Sequence, residues 1–209
     1  CIRDRSYPLG RLASNFIANI RQVSRYARYR LKDGQQILYR PTRNDDTAYI
    51  VEILNGLGSE SCYHRFGQNQ LAPERVQRMA ERIAAESNTV GKGWIAFCTN
   101  SDGSLRPVGM ARYVALQGGQ AEVAFTIVDR FQGLGLGKRL WKSIVKHAKQ
   151  DKLLQLVAHV NPQNHRMQSL VNSSGNQNST VYASQTLTMT IDLYQRPLHQ
   201  RLQFLIPSV

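Results

Sequence analysis

Three glycines occupy alternate positions, Gly133, Gly135 and Gly137, within the stretch DRFQGLGLGKRLWKSI (residues 129–144). Glycine loses more conformational freedom on folding than any other residue, so such a run is costly unless something must approach the backbone closely. An amphipathic helical pattern follows directly. The first turn of a helix has unpaired N–H groups and a partial positive charge, and a phosphate binds there when no side chain blocks it. The stretch therefore predicts a site for a phosphate-bearing ligand.

Two common phosphate motifs do not fit this stretch. The P-loop needs a glycine where Gln132 stands and a Ser or Thr where Arg139 stands. The dinucleotide pattern needs a third glycine where Lys138 stands, and it belongs to a parallel strand–helix–strand unit. The residues before the glycines instead predict an antiparallel arrangement, which excludes both nucleotide folds.

The order of elements predicted along the chain is β, α, α, β, β, β, α, β, α, β, β, a mixed α/β domain. Apolar residues at helical spacing, or alternation bounded by turn residues, carry these assignments. Asn44 is predicted to cap the first helix of the domain, and Pro73 to lie in the first turn of the second. Six of the seven strands are assigned to 35–41, 93–98, 108–116, 121–128, 153–160 and 186–194, and of the other two helices one begins after Gly137 and one spans 164–175.

The glycine loop and its surroundings resemble one enzyme superfamily. Gln132-Gly133-Leu134-Gly135-Leu136-Gly137 is similar to the Q/R-x-x-G-x-G/A loop of the GNAT N-acetyltransferases, which holds the pyrophosphate of acetyl-CoA. Asn164 matches an Asn that opens a later helix in that family, although Gly175-Asn176 stands where Gly-Phe is usual. The resemblance spans about residues 36–194. It implies a mixed, mostly antiparallel sheet flanked by helices, and acetyl-CoA as co-substrate without a metal.

A narrower resemblance concerns the general base. The segment ILYRPTRNDDTAYIVEILNGLGSESCYHRF (37–66) looks like the start of the bacterial Pat-type protein-lysine acetyltransferase domain, in which a strand Glu is the base. Glu122 in AEVAF matches that Glu, and it is the one acidic residue in 104–128. A lysine amine has a pKa near ~10.4 and must lose a proton before it attacks, which Glu122 could accept. The alternative for Glu122 is a surface or ion-paired strand residue.

The same resemblance implies the cofactor contacts. Backbone N–H groups between Phe125 and Val128 would stabilise the thioester oxygen, and the pantetheine arm would pair with that strand edge. Lys138 could instead be a solvated helix residue, and Asn164 a plain helix cap. Many relatives protonate the leaving thiolate with a Tyr, near the place where Val171 stands here. The cofactor-binding residues implied are Phe125, Ile127, Val128, Gln132, Gly133, Leu134, Gly135, Gly137, Lys138 and Asn164.

The charge of this chain is concentrated at its start. The 209 residues carry a net charge of +13, and residues 1–43 hold ten Lys and Arg against two Asp. Residues 11–30 have apolar residues at helical spacing, which predicts a basic amphipathic helical arm over 1–35 before an acetyltransferase domain over 36–209. The arm could pack on its own domain or on a second copy as a homodimer. It could also bind nucleic acid or an acidic partner.

Two classes of function therefore stay open. The first is an acetyl-CoA-dependent N-acetyltransferase whose acceptor is a protein lysine, an N-terminus, a polyamine or an antibiotic amine. The second is a catalytically inactive module of the same fold that binds a polyanion through its arm. Three cysteines without metal-site spacing, the absence of an apolar run of ~20 residues and the lack of a signal-peptide pattern predict a cytoplasmic protein without a metal site or a membrane span.

Overall fold

The computed structural model of the chain describes residues 26–173 and 178–194. The described residues form one eight-stranded sheet with five α-helices. The strands are β1 (Ala27–Arg30), β2 (Gln36–Pro41), β3 (Gly91–Thr99), β4 (Leu105–Ala115), β5 (Gln120–Ile127), β6 (Gln155–Val160), β7 (Asn178–Ala183) and β8 (Thr186–Asp192). The helices are α1 (Thr47–Asn55), α2 (Ser59–Phe66), α3 (Pro73–Glu86), α4 (Leu136–Gln150) and α5 (His165–Asn172).

The sheet order is β1-β2-β3-β4-β5-β6-β8-β7. Among the described strands, β5 and β6 are the one parallel pair, and they pair only over residues 120–122 and 155–157. Beyond that point β5 continues to Ile127 with β4 on one side and no strand on the other. The predicted mixed, mostly antiparallel sheet is confirmed, and its two halves separate at the middle.

Alternation along the strands buries both faces of the sheet. On β3, Trp94 and Ala96 belong to the cluster that includes α4, whereas Ile95 and Phe97 belong to the cluster that includes α1 and α3. A strand that is covered by helices on both faces has a continuous run of apolar residues, and β3 has such a run in WIAFC, residues 94–98. The helices before the meander therefore cover one face, and the helix after the glycines covers the other.

A buried ion pair ties β2 to the start of α1. The guanidinium of Arg40 donates two hydrogen bonds to the carboxylate of Asp46, at 2.6 and 2.7 Å, and the two side chains are 4% and 2% exposed. The Asp46 carboxylate also accepts from the backbone N–H of Arg43, and Arg40 Nε donates to the hydroxyl of Tyr26. Burial opposes the charge on Arg40, but Asp46 and Tyr26 outweigh burial and raise the Arg40 pKa.

The N-terminal part of the described chain differs from the prediction. Residues 1–25 of the predicted helical arm lie outside the described residues. The predicted helix over 11–30 is wrong at its end, because Ala27–Arg30 is a strand that pairs with β2 around the turn at Gly34. The sheet thus begins before the predicted boundary at residue 36. The error arose because the helical spacing of apolar residues continues to Ala27, while β1 is a mostly exposed edge strand with only Tyr29 half-buried to show alternation.

Three smaller differences concern the helices. Helix α1 begins after Asp46, not at Asn44, because the Asp46 carboxylate is held by Arg40 before the first turn. Helix α2 was not predicted, and α5 ends at Asn172 rather than at Gly175. Within 26–173 and 178–194, no helix is long and apolar enough to cross a membrane, and no group of three or more His, Cys, Asp or Glu could hold a metal ion.

The buried pair can be tested by removing one partner. We expect Asp46→Ala to lower the free energy of unfolding by about 3–5 kcal/mol, because the Arg40 guanidinium is then buried without its counterion. The measurement is urea unfolding. The control is Glu52→Ala, which removes an ion pair to Arg106 whose side chains are both nearly half exposed, and it should cost less than ~1 kcal/mol. Equal losses for the two variants would contradict this role of the buried pair.

Candidate active site

A cavity of about 550 Å³ lies where β5 separates from β6. The unpaired end of β5 forms one wall, the N-terminus of α4 a second, and α5 a third. The lining residues come from all of these and from the β1–β2 turn. They are Lys32, Phe125, Ile127, Gln132, Gly133, Gly135, Gly137, Lys138, Asn164, His165, Arg166, Met167, Ser169, Leu170 and Ser173. Most of the residues predicted to bind a cofactor therefore meet in one place.

The glycine loop adopts a backbone that requires glycine. Gly133 and Gly135 have φ values of +75° and +96°, a region that L-residues rarely adopt. Gly135 is the N-cap residue of α4, and a Cβ there would lie 3.1 Å from the hydroxyl of Tyr29. At Gly137 a Cβ would make ordinary contacts with Leu170 and Ile127, at 3.5 and 3.6 Å. The loop thus presents the start of α4 to the cavity without an intervening side chain.

The loop is supported by the β1–β2 turn. The backbone N–H of Lys32 donates to the carbonyl of Leu134 at 3.1 Å, and the side chain of Leu134 packs on the buried core. Leu134 therefore positions the loop and is not one of the residues that line the cavity. That Leu134 contacts the cofactor stays a prediction.

The mouth of the cavity is cationic. Lys32 and Lys138 are exposed, Arg166 lies on the opposite side on α5, and the described residues that line the cavity include no carboxylate. The unpaired N–H groups of the first turn of α4 add partial positive charge. This arrangement suits a diphosphate, since two point charges and a helix terminus converge on one small volume. Lys32 and Arg166 were not identified from the sequence, because each is distant from the glycine motif along the chain.

The side chain of Gln132 forms hydrogen bonds with three elements of the site. Its side-chain amide donates to the carbonyl of Ile127 at 2.8 Å and to the hydroxyl of Ser61 at 3.0 Å, and its carbonyl oxygen accepts from Arg166. Its backbone N–H donates to Asp129. With its hydrogen-bonding groups used inside the protein, Gln132 connects α2, β5 and α5. Its predicted direct contact with the pyrophosphate is not supported by this geometry.

Asn164 serves as a helix cap and retains free donors. Its side-chain oxygen accepts from the backbone N–H of Met167 at 3.0 Å, which caps α5. The side-chain NH₂ has no hydrogen-bond partner among the described residues, and Asn164 lines the cavity. The two roles considered from the sequence, cap and ligand contact, are therefore compatible.

Val128 differs from the prediction. Its backbone N–H donates to the carbonyl of Val108 at 3.0 Å, because β4 still pairs with the chain at this point. That N–H is consequently not available to a thioester oxygen, and Val128 is not one of the cavity-lining residues. The free edge of β5 ends one residue earlier, at Ile127.

Glu122 lies on the other side of β5. A cavity of about 330 Å³ contains Glu122 together with Glu86 and three arginines, Arg65, Arg82 and Arg112. Glu122 is partly buried, and no described residue donates a hydrogen bond to it or lies within ion-pair distance. A cavity of about 230 Å³, lined by Phe125, Thr126, Asn164 and His165 among others, lies between these two spaces, and Arg65 lines both it and the Glu122 cavity.

No tyrosine among the described residues lines the 550 or 230 Å³ cavity. Val171, which stands near the family's Tyr, is fully buried in the core. The imidazoles of His64 and His165 line the 230 Å³ cavity, whereas His159 is exposed on β6 and contacts Thr188. The departure noted from the sequence therefore holds for the lining of both cavities within the described residues, although the Tyr29 hydroxyl lies beside Gly135.

The residues missed from the sequence come mainly from α2. A signal for this helix exists in SESCYHRF: Glu60 lies in its first turn, His64 and Arg65 lie in its last turn, and Gly67 follows in the left-handed conformation. An acidic residue in the first turn and basic residues in the last turn stabilise a helix through its dipole, and a left-handed glycine ends it. The mean hydropathy of the segment is low, and only Cys62 is buried, so the apolar pattern alone does not reveal it.

Comparison with known proteins identifies the same arrangement elsewhere. An acetyltransferase of Pseudomonas aeruginosa is 30% identical over 143 residues, which are 67% of this chain and 74% of that protein. The GNAT domain of Streptomyces PAT (S. lividans) superimposes with a TM-score of 0.67 at 23% identity, covering 81% of this chain and 97% of that one. The protein yncA of Salmonella typhimurium, solved with its cofactor acetyl-CoA, gives a TM-score of 0.55 at 16% identity, covering 77% of this chain and 96% of that one.

The family described as the GNAT acetyltransferase domain matches residues 36–177, more than half of the chain and the whole of the described site except Lys32. The fold, the glycine loop at the start of α4 and the gap between β5 and β6 agree with that match. The chain therefore belongs to the GNAT acetyltransferase family.

Proposed function

We propose that this protein transfers the acetyl group of acetyl-CoA to a primary amine, with Glu122 as general base. The observation that carries the proposal is the position of β5. One part of this strand borders a cationic, glycine-lined cavity, and another part presents Glu122 to a separate cavity on the other face. Cofactor and acceptor can thus reach the same strand from two sides.

The cofactor is held by two kinds of group. Its diphosphate binds the first turn of α4, next to Gly133, Gly135 and Gly137, with charge-assisted contacts from Lys138 and Lys32. Its pantetheine arm lies along the free edge of β5, from Phe125 to Ile127, and receives hydrogen bonds from the Asn164 amide. A strand edge without a neighbour supplies backbone groups at the spacing that an extended amide-bearing chain needs.

The reaction is a direct transfer. The acceptor ammonium loses a proton to Glu122, directly or through a water, and the amine nitrogen attacks the thioester carbon. The tetrahedral intermediate places negative charge on the former carbonyl oxygen, which the free N–H groups of β5 stabilise. The new carbon–nitrogen bond leaves a positive charge on the nitrogen, which passes its extra proton to water. Collapse then breaks the carbon–sulfur bond, releases CoA as a thiolate and leaves the neutral amide. A thiol has a pKa near ~8.5, so the thiolate can leave without a tyrosine acid.

The acceptor class remains a primary amine, of which a protein lysine is one member. The similarity to S. lividans PAT is one of fold. A protein lysine is proposed as acceptor because residues 37–66 resemble the protein-lysine acetyltransferases in sequence. The inactive polyanion-binding module, the homodimer and the cytoplasmic location stay predictions. The accessible carboxylate of Glu122 and the open glycine cavity favour the enzyme over the inactive module.

The cofactor site can be tested with a matched pair of glycine variants. Gly133 (φ +75°) lines the cavity, and Gly103 (φ +80°) lies in the β3–β4 turn. A Cβ at either position meets nothing within 4 Å. Both Glu variants therefore carry the same backbone strain and the same charge change. We expect Gly133→Glu to weaken CoA binding at least ~tenfold, about 1.4 kcal/mol, because a carboxylate faces the diphosphate.

Isothermal titration of CoA measures this difference, and Gly103→Glu should bind like the unmodified protein. If both variants bind CoA with unchanged affinity, the diphosphate does not occupy the glycine loop. Circular dichroism confirms that each variant is folded before it is titrated.

The general base can be tested with Glu122→Gln, which keeps the shape of the side chain but cannot accept the proton. We expect kcat to fall by roughly 10²–10⁴ at neutral pH while the affinity for acetyl-CoA is unchanged. Release of CoA over a panel of amine acceptors is the measurement. Glu52→Gln, an exposed carboxylate on α1, is the control and should leave kcat unchanged. Full turnover by Glu122→Gln would assign the base to another group.

A further inference from the structure

Helix α2 places an arginine, Arg65, between the 230 Å³ cavity and the 330 Å³ cavity. Cys62 is buried and anchors the helix, Arg65 lies in its last turn, and Gly67 ends it with φ +70°. Arg65 lines the 230 Å³ cavity beside β5 and also the 330 Å³ cavity that contains Glu122. Its guanidinium therefore borders the space that an acceptor crosses between Glu122 and the free edge of β5.

The Nε atom of Arg65 is left without a hydrogen-bonding partner among the described residues. Its Nε is buried and makes no hydrogen bond, and among the described residues Arg65 forms no ion pair. The guanidinium carbon lies 5.3 Å from the ring centroid of Phe66, the next residue in the chain. A buried donor without an acceptor is costly, and such groups in native proteins call for a partner.

The charges around Arg65 leave one positive charge uncompensated. Glu86 pairs with both Arg112 and Arg82, so a single carboxylate serves two arginines. Glu122 is the second carboxylate of this cavity, and with Arg65 the arginines number three. Burial, together with the cations Arg112 and Arg82, lowers the pKa of Arg65 to about 10, against the opposing effect of Glu122. A monoanion entering here would balance the charge.

Three groups could supply that anion. Glu122 makes no ion pair with Arg65, and a carboxylate held by a guanidinium would be a weaker proton acceptor. The thioester oxygen develops charge only during the reaction, so it would not satisfy Arg65 in the acceptor complex. An anionic group on the acceptor would satisfy it as soon as the acceptor binds.

We propose that the acceptor amine carries a carboxylate, which binds Arg65 while the amine faces Glu122. The proposal rests on the proposed function, since it names the class of acceptor for the same site. A carboxylate fits better than a phosphate for two reasons: it has the single charge that the cavity lacks, and its two oxygens match the planar fork of arginine. A cavity of about 330 Å³ accepts a small amino acid or the end of a peptide chain.

The test compares acceptors that differ only in the carboxylate. Three pairs are used: 4-aminobutyrate, 6-aminohexanoate and Nα-acetyl-lysine, each against its carboxamide. In each pair the reacting amine is several bonds from the changed group. We expect kcat/KM for the acid to exceed that for the amide at least ~tenfold in the pair whose length fits, as for a charge-assisted contact of about 1.4 kcal/mol.

The variants separate this role of Arg65 from others. Arg65→Gln should lower kcat/KM for the acid to the value for the amide, with a much smaller loss for the amide, while Arg65→Lys should recover part of the preference for the acid. Arg78→Gln, the same change at an exposed position on α3, is the control and should keep the preference. Equal rates for acid and amide in the unmodified protein would overturn the proposal. So would a loss in Arg65→Gln that affects both acceptors alike, which would place Arg65 at the thioester instead.

Binding measurements keep this test separate from the proposed reaction. Titration of each acid and amide into the protein with CoA present, by calorimetry, reports carboxylate recognition without turnover. Tighter binding of the acid that is lost in Arg65→Gln supports the proposal even where no acetyl transfer occurs, and equal binding of acid and amide overturns it. The failure of the proposed function has a different signature, which is unchanged kcat in Glu122→Gln.

Discussion

The separation of β5 from β6 is the constraint on which the site depends. Three residue pairs join these strands, and beyond Glu122 the backbone of β5 has a free side inside the protein. A buried backbone N–H or C=O without a partner costs free energy, so this edge is stable only when water or an extended ligand pairs with it. The protein thus keeps one incomplete ladder in an otherwise continuous sheet. Residues of helices α4 and α5 line the cavity at this gap.

Because β5 is pleated, its alternate side chains face two different sides of the sheet. Successive side chains point to opposite faces, so Glu122 and Ala124 face the α3 side, whereas Ala121 and Val123 are buried on the α4 side. The groups proposed to bind the cofactor and the proposed proton acceptor therefore belong to one strand but line different cavities. A shift of register by one residue would exchange these faces and remove both functions together.

Part of this site can be predicted from the sequence because it depends on residue types that are close together along the chain. The glycine loop, the strand that carries Glu122 and the cap at Asn164 each depend on neighbouring residues, and the structure brings them together. The hydrogen bonds of the Gln132 side chain could not be predicted, since its partners Ser61 and Arg166 lie far away along the chain. The edge strand β1 and the short helix α2 were missed because each buries too few residues to show a period. Tertiary contacts, rather than local preference, fix these two elements.

The contact between the β1–β2 hairpin and the glycine loop has a thermodynamic consequence. Lys32 donates to the carbonyl of Leu134, and the Tyr29 hydroxyl lies beside Gly135, so the hairpin and the loop order each other. Linkage is reciprocal: the free energy by which an ordered hairpin favours ligand binding equals the free energy by which the bound ligand favours the ordered hairpin. The amides of residues 29–31 should then exchange with solvent more slowly when CoA is bound. Conversely, any contact that holds the first strand in place strengthens cofactor binding without itself entering the site.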